Sequence, residues 1–387
     1  MYVGEETLVS LVTVASSSDG IDRFMKSLVF VVMLCALSLL GLNACVQTLP
    51  DRGIARHSAL SNHEPHRLLQ KHLAFSDEEL RKMEEGGIIA KTFDSSVVAN
   101  EVAAFGIMRI NIPKELYLEQ FRDIVTFTKS PEIKVLKKFS DPPTLKDLSA
   151  LKLIPVDLHA LKSCRPNACK VKIDDSMMLR FQKEVAWGTP AAREQAETLM
   201  REFMLEYLNG YLQDGDAALG EYHDKKQPLR IADAFGELLD NSAFLFDYAP
   251  ELYNYLKHYP NSQLDNVENF FYWSEEQYGL KPVLNLFHIS IYQRRRGDSN
   301  DIFITSKQIY ASHYFESSLG FTAFVDEQGG QEDSNSYLMY LNRSRFDQLR
   351  GPLKAMMISL ARQRVHDGVE RYFTMVKKRL EAAQSRK

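Results

Sequence analysis

Two short stretches near the end of the chain hold the side chains best suited to bind or transform a ligand. These candidate ligand-binding residues are Lys307, Tyr310, His313, Asn342, Arg343 and Arg345. A lysine or histidine that faces a pocket could hold an acidic head group or move a proton. Strand alternation would place Lys307 and His313 on one face and Tyr310 on the other, unless a bulge intervenes. The competing interpretation is that they lie on a solvated face, with the two arginines paired to nearby carboxylates.

The sequence lacks the common catalytic motifs. It has no Gly-x-Ser-x-Gly elbow, no phosphate-binding loop, no Rossmann glycine fingerprint and no paired metal ligands on a helix. The sequence therefore favours a binding protein over an enzyme. It assigns no catalytic residue, no metal site and no cofactor.

Length and charge narrow the class of protein further. With 387 residues and 45% hydrophobic content, the chain can bury a large core. A net charge of -4 gives no general attraction to phosphate backbones. Nucleic acid is therefore not an expected partner.

The beginning of the chain has the layout of a bacterial lipoprotein signal. An apolar run over residues 28–42 follows Arg23 and Lys26, and it ends in Leu-Asn-Ala-Cys at 42–45. The run is shorter than the ~20 apolar residues that a spanning helix needs. We therefore expect Cys45 to carry lipid and the protein to be anchored on the periplasmic side of the cell envelope. An uncleaved anchor and a non-lipidated signal stay open.

Two cysteines remain if the signal is removed and Cys45 is lipidated. They are Cys164 and Cys169, in Cys-Arg-Pro-Asn-Ala-Cys. In an oxidising compartment this spacing favours a small loop disulfide. Free thiols, or catalytic or metal use, are the alternatives.

The sequence divides into four predicted regions. Residues 1–45 form the export signal, of which 1–24 precede Met25, a more natural start, and residues 46–96 form a tether with a short helix and solvated histidines. One folded domain takes residues 97–140 and 270–387, and a helical insertion with the cysteine loop takes residues 141–269.

A long amphipathic helix is predicted from Pro352 onward. Its apolar stripe comprises Leu353, Met356, Met357, Leu360, Val365, Val369, Tyr372, Val376 and Leu380. Four strand-like segments between residues 283 and 342 precede it, joined by short connections that favour an antiparallel meander. The predicted fold class is α+β: a curved antiparallel sheet gripped by a long C-terminal helix, with a large helical insertion.

This order of elements resembles the START-like helix-grip superfamily. The stretches that carry the likeness are VAAFGIMRINIP at 102–113, which leads into a helix, and LRGPL at 349–353, which opens the terminal helix. The resemblance implies an apolar pocket between the sheet and the terminal helix, occupied by a lipid or another hydrophobic small molecule. The helical insertion is a departure from the compact form of that superfamily.

Three functions follow as hypotheses. The leading one is a membrane-tethered protein that binds an apolar or amphipathic, lipid-like ligand in this pocket. The second is an enzyme on the same scaffold that acts on a hydrophobic substrate through Lys307, Tyr310 or His313. The third is a structural or assembly lipoprotein with a closed core, whose insertion binds a protein partner of unknown identity.

Replacing Leu360 by aspartate would place a charge in the middle of the apolar stripe. Because burying an unpaired carboxylate is costly, we expect Leu360→Asp to unfold the protein. Thermal denaturation followed by circular dichroism checks this. A variant that keeps the wild-type melting temperature would argue against packing of this helix on the sheet.

Overall fold

The structure, a computed structural model, describes residues 64–94, 100–242, 247, 249–277, 281–296, 299–326, 335–347 and 354–385. All of them belong to the unit His57–Lys387. The predicted export signal and its lipidation site Cys45 lie outside the described residues. In the part of the chain that the structure describes, no helix is long and apolar enough to cross a membrane.

The described elements alternate between helical and strand segments. The helices are α1 (Glu64–Leu73), α2 (Asp77–Glu84), α3 (Lys114–Arg122), α4 (Ile124–Phe127), α5 (Pro155–Ser163), α6 (Asp175–Glu184), α7 (Ala192–Asp214), α8 (Ile231–Asp240), α9 (Pro250–His258) and α10 (Lys354–Gln384), with 3-10 turns at Leu145–Leu148 and Gly215–Ala218. The strands are β1 (Ile89–Asp94), β2 (Glu101–Ile110), β3 (Ile133–Lys138), β4 (Glu221–Tyr222), β5 (Leu229–Arg230), β6 (Val267–Glu276), β7 (Val283–Arg296), β8 (Ser299–Ala311), β9 (Phe315–Asp326) and β10 (Ser336–Phe346).

Eight of these strands form one open sheet in the order β1-β2-β10-β9-β8-β7-β6-β3. Every neighbouring pair is antiparallel. Strands β6 to β10 are a five-strand meander, and β2 returns to pair with β10. The predicted α+β class with an antiparallel sheet is confirmed. The meander has one strand more than predicted, because β6 begins at Val267, inside the region assigned to the insertion.

Helices cover both faces of the sheet. On one face, here called the insertion face, α1, α2 and α5 to α9 pack against strand residues such as Phe105, Phe321 and Trp273. On the other, here called the terminal-helix face, α3, α4 and α10 pack against residues such as Met108 and Phe324. The central strands are thus buried from both sides.

The second half of α10 packs against β1, β2 and α3. Its buried side chains are Val369, Phe373, Val376 and Leu380. Three of these belong to the predicted stripe, and Phe373 was not predicted. Val365 and Tyr372 of the predicted stripe are partly buried against the same cluster. The side chains of the other four predicted residues, Leu353, Met356, Met357 and Leu360, lie outside the described part. A helix that grips the whole sheet stays a prediction.

The folded part of the chain begins before Val97, which is the start predicted from the sequence. Helices α1 and α2 and strand β1 all precede that point. His66, expected to be solvated, is buried, and its Nε2 lies 2.7 Å from Glu84 Oε1. The hydroxyl of Tyr337 donates to the same oxygen at 2.6 Å. The predicted short helix is present as α2, but residues 64–94 are not a mobile tether, because these elements bury side chains against the sheet.

The cysteine loop has the predicted arrangement. The sulfurs of Cys164 and Cys169 lie at disulfide distance, with the Cα atoms 4.5 Å apart. Between them, Asn167 N–H donates to the carbonyl of His223 at 2.7 Å. The loop is therefore closed covalently and also hydrogen-bonded to the segment that leads into β5.

Gly106 allows the close approach of α10 to β2. A Cβ at this position would collide with the ring of Phe373 and with Val369. We therefore expect Gly106→Ala to lower the free energy of unfolding by about 1 to 3 kcal/mol through overpacking. Urea denaturation measures this.

Phe373→Leu provides the matched control, because the smaller side chain leaves room for the new methyl group. The double variant should therefore be less destabilised than the sum of the two single variants. Strictly additive costs would contradict the direct contact of α10 with β2.

Candidate functional site

The six predicted ligand-binding residues do not converge on the space beneath the terminal helix. Only Asn342 lies on the terminal-helix face, beside Tyr340. Lys307, Tyr310, Arg343 and Arg345 face the insertion side, and His313 lies in the turn after β8. A β-bulge between β7 and β8, at Leu286/Phe287, brings Tyr310 to the same face as Lys307. Lys307, Tyr310 and His313 therefore do not form a site beneath α10, and the hypothesis of an enzyme that acts through Lys307, Tyr310 or His313 stays a prediction.

Lys307 is buried where the insertion meets the sheet. Its side chain is 1% exposed and forms an ion pair with Asp216 of the Gly215–Ala218 turn. The ammonium also lies 3.7 Å from the ring centroid of Phe235 and 5.1 Å from that of Tyr211. Burial lowers the pKa of Lys307 to about 8, although the Asp216 carboxylate opposes this shift.

His288 lies directly opposite Lys307 on β7 and is fully enclosed. Its Nε2 is 2.8 Å from Asn269 Oδ1. The same oxygen accepts a hydrogen bond from the Ser290 hydroxyl at 2.9 Å. The Nε2–H tautomer is therefore indicated, and Nδ1 accepts from the Tyr211 hydroxyl at 3.0 Å. Burial, together with the charge of Lys307, holds the pKa of His288 well below its usual value, so the ring is neutral.

Tyr310 and His313 have structural partners. The Tyr310 hydroxyl donates to the carbonyl of Lys172 at 3.1 Å, and its ring packs edge-on to Phe203. Burial raises the pKa of Tyr310 well above the usual value for a phenol. His313 Nε2 lies 2.9 Å from the buried carboxylate of Asp157 in α5. Both side chains join the insertion to the sheet.

The two arginines also have carboxylate partners, as the competing interpretation predicts, although Lys307, Tyr310 and His313 are buried and do not lie on a solvated face. Arg343 Nε donates to Glu101 at 2.7 Å, and Arg345 donates to Glu237 of α8 at 2.7 Å. Arg343 further donates to the carbonyl of Asn241, just after α8. The arginines therefore fix α8 to the end of β10.

Several tyrosines cluster on the terminal-helix face, an arrangement that was not predicted from the sequence. The hydroxyls of Tyr117 and Tyr372 lie 3.2 Å apart, and the ring of Tyr372 is 5.3 Å from that of Tyr340. Tyr272 is buried on the same face. Burial raises the pKa of Tyr117 to about 12. At neutral pH the cluster therefore offers uncharged hydroxyl groups.

Four successive rows of side chains on this face, across β8, β9 and β10, become less polar along the strands, before a polar row of Asp326 and Ser336 at the end. The rows are Gln308-Ser318-Ser344, Ser306-Gly320-Asn342, Ile304-Thr322-Tyr340 and Ile302-Phe324-Leu338. In β9 the sequence shows this as small and polar residues alternating with Leu319, Phe321 and Ala323. These four rows are therefore amphipathic along the strand direction.

Gly320, in the middle of these rows, leaves room for a methyl group beside Ser306 and Tyr340, a space here called the niche. A Cβ at this position would meet Ser306 Cβ at 3.4 Å and the Tyr340 ring at 3.5 Å, which are ordinary contacts. Nothing in the packing of the strand therefore requires glycine here. A glycine inside a strand often marks a place where another group approaches the backbone.

The protein is thus built on an open antiparallel sheet with helices on both sides, and its terminal-helix face carries both polar and apolar rows of side chains. Within the described ranges, no group of three or more His, Cys, Asp or Glu side chains is placed to hold a metal ion. Comparison with protein-family models, curated proteins and solved structures gives no match for this chain. The START-like resemblance stays a prediction.

The neutral state of His288 makes the stability of the protein depend on pH. Below the usual histidine pKa of about 6.5, His288 takes up a proton in the unfolded chain but not in the folded one. We therefore expect this residue to reduce the free energy of unfolding by up to about 1.4 kcal/mol for each pH unit below that value.

Urea unfolding of wild type and of His288→Gln isolates this effect. The measurements run from about pH 5 to about pH 7.5, a range that spans the usual histidine pKa of ~6.5. The variant should be less stable at the upper end, because two hydrogen bonds are altered, but it should have a shallower dependence on pH. Parallel pH dependences would show that His288 is not held neutral.

Proposed function

We propose that this protein is an exported, lipid-anchored protein of the bacterial envelope that binds a small amphipathic molecule between α10 and the sheet. The observation that carries the proposal is the change from polar to apolar rows on the terminal-helix face. Export and anchoring rest on the sequence of residues 23–45 alone. The binding site rests on the described strands.

The polar rows suit an uncharged, hydrogen-bonding head group. They contain serine, asparagine and glutamine side chains that already bond one another, as Gln308 Nε2 does to Asn285 Oδ1 at 2.9 Å. Ser318 and Ser344 hydroxyls are likewise 2.7 Å apart. Hydroxyls and amides both donate and accept, so such a network can exchange an internal hydrogen bond for one to a ligand at little cost.

The apolar rows suit a hydrocarbon body. Ile302, Ile304 and Phe324 lie in one buried cluster with Val376 and Phe373 of α10. An apolar ligand that replaces part of this packing keeps its surface away from water, at about 25 cal/mol for each Å² buried. The tyrosine cluster lies between the polar and apolar ends, where its rings can contact the body and its hydroxyls the head.

Gly320 gives a direct test of the site. A leucine there would project over Ser306 and Tyr340 and fill the niche, whereas alanine would make only ordinary contacts. We expect Gly320→Leu to weaken binding of the uncharged probe Nile red by about tenfold, equivalent to about 1.4 kcal/mol. Gly320→Ala should bind within about twofold of wild type, a change of about 0.4 kcal/mol.

Fluorescence titration measures the affinities, and native mass spectrometry of the full-length protein shows whether a lipid copurifies. Thermal denaturation of both variants separates a blocked site from loss of folding. Equal affinity of wild type and a folded Gly320→Leu variant would exclude this face. Wild type with neither copurified lipid nor probe binding would overturn the proposed function.

A further inference from the structure

A buried cation with a partly exposed partner lies on the opposite face of the sheet, at Lys307. The ammonium cannot leave its position, because it is enclosed by Phe235 and Tyr211 on the helices and by the sheet below. Its partner Asp216 is different, with 26% of its side chain exposed. The cation is thus fixed, and the anion that neutralises it is in contact with solvent.

The turn that carries Asp216 is fixed in place at its first residue. Gly215 has φ +60°, and a Cβ there would collide with the carbonyl of Tyr259. The backbone of the turn is therefore packed tightly, while the Asp216 side chain can rotate towards water without moving it. Such a rotation would leave the Lys307 ammonium open to another anion.

A second buried group next to Lys307 has an unused hydrogen bond. Thr305 lies two residues before Lys307 on the same face of β8, is fully buried, and its hydroxyl has no hydrogen-bond partner among the described residues. Ser290, directly opposite Thr305 on β7, instead donates to Asn269. A buried hydroxyl without a partner costs about 1 to 3 kcal/mol, so it is a favourable position for a ligand oxygen.

The spacing and the charge of these groups select the ligand. The Cα atoms of residues two apart on a strand are ~7 Å apart. A carboxylate, whose two oxygens can each accept a hydrogen bond of ~2.8 Å, suits two donors on this scale. Lys307 supplies one positive charge, and His288 across from it is neutral. One positive charge is matched by a monoanion and not by a doubly charged phosphate.

We propose that Lys307 and Thr305 form a binding site for a small carboxylate, and that the Asp216 side chain occupies this site when the ligand is absent. Asp216 thus competes with the ligand for the ammonium. The aromatic rings of Phe235 and Tyr211 provide walls for a short apolar substituent on the ligand. This site is on the face opposite the proposed lipid site, so either can fail without the other.

The test titrates sodium acetate and sodium butyrate into the full-length protein, with sodium chloride and sodium phosphate at matched ionic strength. Calorimetry and the melting temperature are the two readouts. We expect saturable binding of the carboxylates to wild type, and about tenfold tighter binding to Asp216→Asn, which removes the competing charge and corresponds to about 1.4 kcal/mol. Thr305→Val should bind more weakly than wild type.

Lys307→Met should abolish binding. If that variant does not fold, the double variant Lys307→Met/Asp216→Asn, which leaves no unpaired charge, takes its place. Binding that survives the loss of Lys307 would overturn the proposal. So would binding by Asp216→Asn but not by wild type, because Asp216 would then be a permanent structural partner and not an exchangeable one.

Discussion

Burial of the central strands from both sides is the constraint on which the rest of the structure depends. Strand β9 is buried at ten successive positions, which no strand facing solvent on one side could be. A polar side chain in such a strand needs a partner, and one that is left unpaired costs about 1 to 3 kcal/mol. Ion pairs provide the partners on the insertion face, whereas hydroxyl and amide groups bond one another on the terminal-helix face, beside one ion pair between Lys114 and Asp326.

The ion pairs on the insertion face position the helices more than they stabilise them. Lys307 with Asp216 and His313 with Asp157 each join the sheet to a different helical segment. A buried pair contributes little net stability, since the desolvation of both charges offsets their attraction, but breaking it leaves a costly unpaired charge. Each pair therefore disfavours alternative placements of its helix.

Much of the architecture could be predicted from the sequence, because hydrophobic periodicity is local. The helices of the insertion, the later strands and the C-terminal helix follow from spacing and from Gly and Pro boundaries. Strand β6 was missed because Phe270, Phe271, Tyr272 and Trp273 are aromatic in succession and show no alternation. The faces of Lys307 and Tyr310 could not be assigned, because one bulge between β7 and β8 reverses the alternation. Asp216, ninety-one residues before Lys307, gives no local sign of their pairing.

The pairing of β2 with β10 has a consequence for how the chain reaches its folded state. These neighbouring strands are more than two hundred residues apart in sequence, so the sheet cannot be completed until nearly the whole chain is available. Contacts of such long range slow folding, because the loop between them must be ordered first. The meander β6 to β10 can form earlier from local contacts, with the edge of β10 left open. Until β2 pairs with it, β10 thus has an unpaired edge. During folding, this edge is the position most exposed to aggregation.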